Sequence, residues 1–224
     1  MKKLKFLNVQ FNAELHPSKI AAFRGAIIQK VGQKDTLLFH NHLDDEKFNY
    51  QYALVQYKTI AKRPTIICMG EGVEVIHKFF EKSDWTLNIA GEEYQMSIHK
   101  LNMQEFTMQT WDKMMHYTLL NWLPLNQQSY EEYQKMTGLV EKTQFLEKKI
   151  IGHILAFAKG IAWQVENEIK VNITEMQEPR LMYYKNIKMM AFSLTFKTNV
   201  FLPNYMGLGK GVSLGFGIVK KIDF

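Results

Sequence analysis

Apolar and polar positions alternate along KLKFLNVQFNA, with Leu4 and Phe6 on one phase and Val9 and Phe11 on the other. This predicts a strand over residues 3–13 with a bulge where the phase shifts. After Pro17, a residue suited to a first helical position, Ile20, Ala21, Phe23, Ile27, Ile28 and Val31 recur at helical spacing until Gly32. YQYALVQYKTI, from Tyr50 to Ile60, has the aromatic and β-branched content of a strand, and TIICM after Pro64 makes another. Beyond Gly70 and Gly72, the residues Val73, Ile76, Phe79 and Phe80 mark an amphipathic helix in VEVIHKFFEKS. Two extended pieces follow, TLNIA and YQMSIHKL, joined by a turn at Gly91-Glu92.

Strand, helix, strand, strand, helix, strand is the order of the split βαβ, or ferredoxin-like, unit. The second half opens with strand-like EFTMQTW and passes through LPLNQQSYEEYQKM. It then carries a helix from Glu141 to about Lys159, with Phe145, Leu146, Ile150, Ile151, Ile154 and Leu155 on one face. IKVNITEM and MMAFSLTFKTNVF are strands. The expectation is therefore an α+β chain of two tandem ferredoxin-like (RRM-like) domains, 1–102 and 103–224. The second is a degenerate copy of the first in element order, without a sequence repeat.

Length and composition add bounds to that pattern. With 224 residues and 46% hydrophobic content the chain can bury a sizeable core. Lys and Arg outnumber Asp and Glu 28 to 22, a formal net charge of +6 that points mildly to an acidic partner, nucleic acid or a lipid surface. A lone cysteine, Cys68, excludes an internal disulfide or a cysteine-built zinc cage, and its place in TIICM predicts burial. MKKLKFLNVQFNAEL alternates like a strand rather than reading as a signal peptide, and no apolar run reaches the ~20 residues of a membrane helix. No membrane association and a cytoplasmic location are expected.

The C-terminal stretch YMGLGKGVSLGFGIVKKI concentrates Gly207, Gly209, Gly211, Gly215 and Gly217 around Lys210 and Ser213. Glycines let a loop take positive φ and let a ligand approach main-chain amides, so a phosphate cradle is one reading. A glycine-rich hairpin before the last strand is the other. A Walker loop is excluded, since no glycine stands five residues before Gly209-Lys210 and no Ser or Thr follows Lys210. A dinucleotide fingerprint lacks its third glycine and its crossover helix.

GxGKGxSxGFG at this end of the chain resembles the glycine-rich loop of the repeat-associated (RAMP) proteins. The closest resemblance is to the CRISPR-associated endoribonucleases that process precursor crRNA, in the branch with two neighbouring histidines. FRGAII at 23–28 and YQYALVQYK at 50–58 support it. The resemblance implies two ferredoxin-like halves and a catalytic histidine after the first helix, where His40 and His42 stand in LLFHNHLDDEKFNYQY.

His40-Asn41-His42 invites several chemistries. The metal-dependent nuclease spelled by those letters needs a ββα unit, whereas here an extended segment follows. A zinc site needs a third ligand, for which Asp44, Asp45 and Cys68 are the available donors. From the residues alone a polar loop is preferred. Acid/base cleavage of RNA requires only a base for the 2′-OH proton and an acid for the 5′-oxygen, and histidine serves either role near neutral pH. Residues at i and i+2 of an extended loop project to the same side, so both imidazoles could flank one phosphate.

Taken with the resemblance, these residues give the expectation of a metal-independent endoribonuclease without cofactors. It would cut CRISPR repeat RNA once per repeat and leave a 2′,3′-cyclic phosphate and a 5′-hydroxyl. His40 and His42 are its expected acid and base. Lys47 is the nearest cation, and Tyr50 a donor or relay that could equally pack as a strand tyrosine. Expected RNA contacts are Lys19 and Arg24, with Lys30 beside them on one helix face, and the loop residues Gly207, Gly209, Lys210, Gly211, Ser213, Gly215 and Gly217. The other histidines read as structural or surface groups: His77 in a helix, His99 in a strand, His116 in a helix or loop, and His153 within IIGHIL. Lys148 and Lys149 read as a solvated face. The resemblance further implies a homodimer and transfer of product to an interference complex. A non-catalytic RAMP subunit that binds crRNA is the alternative.

Overall fold

The computed structural model describes residues 1–32 and 52–222, with the backbone of two short paired strands between them, β2 (His42–Leu43) and β3 (Lys47–Phe48). The chain divides into two compact units. One comprises Lys3–Thr107 with Ser213–Gly215, and the other Met1–Lys2, Met108–Val212 and Phe216–Phe224.

In the first unit, β1 (Lys2–Phe11) leads to a 3-10 turn, Pro17–Lys19, capped by the imidazole of His16, which accepts from the Ser18 amide. The helix proper, α1 (Ile20–Val31), ends at Gly32, whose φ of +98° lets its amide reach back to Ile28. β4 (Val55–Ile60), β5 (Arg63–Met69), α2 (Gly72–Phe80), β6 (Thr86–Ile89), β7 (Glu92–Gln95) and β8 (Ile98–Met108) follow. The main sheet runs β4-β5-β1-β8, and β6 and β7 form a separate hairpin. With β1, β4, β5 and β8 as first to fourth strands, that order is the ferredoxin-like one.

The phase shift in β1 is not a bulge. Its pairing with β5 runs in unbroken register from Phe6↔Met69 to Gln10↔Thr65. Apolar residues occupy both phases because both faces of the strand are buried. Leu7, Val9 and Phe11 join the core with Phe23, Ile27, Ile66, Cys68, Ile76 and Phe79, while Leu4 and Phe6 are buried on the opposite face. Edge-to-face rings tie strand to helices, Phe11 to Phe23 at 6.0 Å and Phe11 to Phe79 at 5.8 Å.

The second unit consists of β9 (Thr110–Trp122), α3 (Gln127–Lys135), α4 (Leu139–Gly160), β10 (Val171–Met176), β11 (Arg180–Tyr184), β12 (Ile187–Val200) and β13 (Ile218–Ile222). Its sheet, β10-β12-β9-β13, repeats the ferredoxin-like order, with β11 added as a hairpin partner of β12. Asn126 and Ser129 form a capping box at the start of α3. Glu147 of α4 accepts from the Ile173 amide of β10 at 2.8 Å. Where the first unit has α2, the second has no α-helix. Residues 201–217 form a loop with one 3-10 turn, Val212–Leu214, between β12 and β13.

Several boundaries differ from the sequence pattern. The strand expected from Tyr50 begins at Val55, and EFTMQTW spans two long strands, β8 and β9, parted at Gln109. His116 lies in β9 rather than in a helix or loop, and β11 had no counterpart in the pattern. Among the described residues, no helix is long and apolar enough to cross a membrane.

Candidate functional site

The side chains of His40, His42, Lys47 and Tyr50 lie outside the described residues. The backbone places His42 opposite Phe48 and Lys47 opposite Leu43 in the β2–β3 pair, between α1 and β4 in sequence.

Lys19 and Lys30 are committed to carboxylates. Lys19 Nζ stands 2.6 Å from Glu92, which raises its pKa above the ordinary lysine value and depresses that of Glu92. Lys30 Nζ stands 2.7 Å from Asp84, which together with the Thr86 contacts holds that carboxyl well below its usual range. Arg24 is half-buried, with its charge near the buried Tyr57 hydroxyl, whose pKa burial raises. Cys68 lies in the apolar core, and burial pushes its thiol up as well, so it is an inert packing residue.

The glycine-rich loop has a buried frame and an exposed tip. Gly207 and Gly217 are buried at its base, where Gly207 bridges to Ile218 and the Leu208 amide donates to the Gly217 carbonyl at 2.9 Å. A Cβ on Gly217, which has φ of +62°, would fall inside the Leu208 carbonyl. The buried Tyr117 hydroxyl accepts from the Leu202 amide at 3.0 Å and fixes the chain entering the loop. Gly209 passes so close to Trp122 that a Cβ would lie 2.8 Å from the indole Nε1, and Gly211 runs against the rings of Tyr184 and Phe216.

Ser213 and Gly215 belong to the first unit, where a Cβ on Gly215 would meet Ile20 Cδ1 at 2.8 Å and the Tyr57 carbonyl at 3.5 Å. The amides of Leu208, Lys210, Phe216 and Gly217 all donate to the protein's own carbonyls. The outward chemistry between Gly207 and Gly217 therefore rests chiefly on Lys210, the exposed residue of that stretch.

Two features of the second unit were not visible in the sequence. The hairpin β11–β12 exposes Tyr183 at 67%, with Lys188 Nζ 5.6 Å from its ring centroid and Lys185 5.8 Å from that of Tyr184. His153 of α4 accepts a hydrogen bond at Nδ1 from Trp122 Nε1 at 3.1 Å. Burial, and then the charges of Lys149 and Lys210, push the imidazole down to about 4, so it is neutral at pH 7. Only a tertiary structure brings these residues together, because Trp122 ends β9 and Lys210 tips a distant loop.

Family models of the Cas6b N-terminal domain and the Cas6b C-terminal domain match residues 2–107 and 109–222. The chain belongs to the Cas6b family. A crystal structure of Cas6b is similar throughout, with a TM-score of 0.85 at 28% identity over 99% of this chain and 100% of that one. Another, of a Cas6b described as a CRISPR RNA processing endoribonuclease, has a TM-score of 0.73 at 24% identity over 99% and 100%, a likeness of fold. An uncharacterized protein of Methanocaldococcus jannaschii is 32% identical over 140 residues, 61% of this chain and 92% of its own length. Within the Cas6b frame the glycine-rich loop lies wholly in the part matched by the C-terminal model, and the His40 to Tyr50 segment in the part matched by the N-terminal one.

Proposed function

We propose that this Cas6b-family protein is a metal-independent endoribonuclease that cuts CRISPR repeat RNA within precursor crRNA. Membership of the family carries the reading, and the His40-Asn41-His42 segment that follows α1 gives it a chemistry. One imidazole removes the 2′-OH proton, O2′ bonds to the adjacent phosphorus, the bond from phosphorus to O5′ breaks, and the second imidazole protonates O5′. The products are a 2′,3′-cyclic phosphate and a 5′-hydroxyl. Lys47 stabilises charge on the phosphate and Tyr50 donates a hydrogen bond or relays a proton.

The exposed Lys210 and the hairpin with Tyr183, Lys185 and Lys188 support an RNA-binding role for the second unit, since lysines beside exposed aromatic faces suit phosphates and unstacked bases. Lys19, tied to Glu92, would reach phosphate only by exchanging that partner. The product RNA passes to an interference complex, and a homodimer is the proposed assembly.

The test is incubation of labelled repeat RNA with purified protein in EDTA, beside His40→Ala/His42→Ala and a substrate with a 2′-deoxy at the cut site. Cleavage by wild type alone, abolished by the deoxy substitution and reduced at least ~10³-fold in the double variant, is expected. Tight binding with no cleavage by wild type would replace this reading with the crRNA-binding RAMP subunit.

A further inference from the structure

Lys149 and His153 are four residues apart on α4 and so share one flank of that helix, beside the buried stripe of Leu146, Ile150, Ile154 and Phe157. Trp122 is fully buried, and its ring stands edge-on to the imidazole, with centroids 5.7 Å apart and planes at 89°. Because the indole N–H donates to Nδ1, the neutral ring carries its proton on Nε2. The residue as a whole keeps part of its surface exposed.

The glycine-rich loop brings the third group. Gly209 runs against Trp122 Nε1, and the Lys210 amide donates at 3.2 Å to the carbonyl of Leu123, the residue after that tryptophan. The charges of Lys149 and Lys210 both act on His153, and among the described residues no carboxylate is a cause of its shift. Among the described residues neither lysine has an ion-pair partner, and Lys149 Nζ instead lies 4.8 Å from the ring of Phe145. Two lysine charges thus reach one imidazole, and among the described residues no ion pair neutralises either. A diester phosphate supplies the missing charge and oxygens.

We propose that Lys149, His153 and Lys210 form a binding site for one phosphate of the RNA backbone, with Trp122 as the positioning residue that fixes the Nε2–H tautomer. The proposal rests on the RNA reading above and adds α4 to the RNA-binding surface. His153 here binds and does not cleave, because a ring so reluctant to accept a second proton is a weak acid/base at neutral pH. The two lysines supply charge, whereas His153 supplies a neutral donor. The three residues therefore have separable signatures in salt.

The experiment measures repeat-RNA affinity against salt concentration for the full-length wild type, Lys149→Ala, Lys210→Ala, His153→Phe and His153→Gln, each checked for an unchanged thermal melt. Each lysine substitution is expected to lower the slope of log K against log salt by a share of the about 0.7 to 0.9 that one phosphate contact contributes, and the two together by no more than that value. His153→Phe is expected to weaken binding on the order of 3- to 10-fold with the slope unchanged, and His153→Gln, which keeps an N–H near the Nε2 position, to recover much of it. Histidine NMR of the wild type provides a readout that survives any folding defect in a variant: bound RNA should raise the pKa of His153, because an adjacent anion favours the imidazolium. Unchanged slopes in both lysine variants, or an unmoved His153 titration, with repeat RNA still bound and cut, would overturn the site and leave the proposed function standing. A wild type that neither binds nor cuts repeat RNA would overturn both.

Discussion

At the scale of single residues, Lys58 stands out. It is wholly buried on β4, and burial pushes its ammonium down from 10.5 to about 7. A base with a depressed folded pKa takes up protons more readily once unfolded, so its contribution to stability is complete only above ~10.5 and is lost as pH falls toward 7. Wild type should therefore gain stability between about pH 7 and pH 10. Lys58→Met, of similar length without the charge, should flatten that dependence. Thermal melts at a series of pH values measure both, and parallel profiles for the two proteins would disprove the account.

At the scale of elements, the loop of residues 201–217 takes the place of a helix and depends on backbone that side chains would obstruct. Gly217→Ala should cost on the order of 2–4 kcal/mol in denaturant unfolding, since it combines positive φ with a collision against the Leu208 carbonyl. Gly152→Ala on α4, where a Cβ meets nothing within 4 Å, should be neutral or stabilise by up to about 1 kcal/mol. Equal losses in the two would remove the argument.

Legibility in the sequence followed the same physics. α1, α2 and α4 were readable because each buries one stripe, and the glycine run announced a special backbone. β11 was not readable, because a short edge strand with Leu181 and Tyr183 exposed has no buried face to impose alternation. Both-face burial in β1 imitated a bulge. The spacing of His40 and His42 was plain in the chain, whereas the convergence of Lys149, His153 and Lys210 depends on how Trp122 and the loop pack. Nor could charge alone reveal that Lys19 and Lys30 are already paired with Glu92 and Asp84.

For the molecule as a whole, the single cysteine is a built-in reporter. Cys68 is buried in the core of the first unit with its thiol pKa raised, so a thiol reagent should label native protein only through unfolding of that unit. Labelling is expected to be slower by ~10³-fold or more than in denaturant-unfolded protein. Rapid modification under native conditions would show that the first unit opens locally at β5. Which residues complete that unit also matters to its history. Ser213–Gly215 are part of it although the strands β9 to β12 come between them and Thr107 in the sequence. During translation, when domains ordinarily form in order of synthesis, Ile20 and Tyr57 emerge early and wait for Gly215. The first unit is therefore begun before the strands β9 to β12 of the second are made and completed only after them.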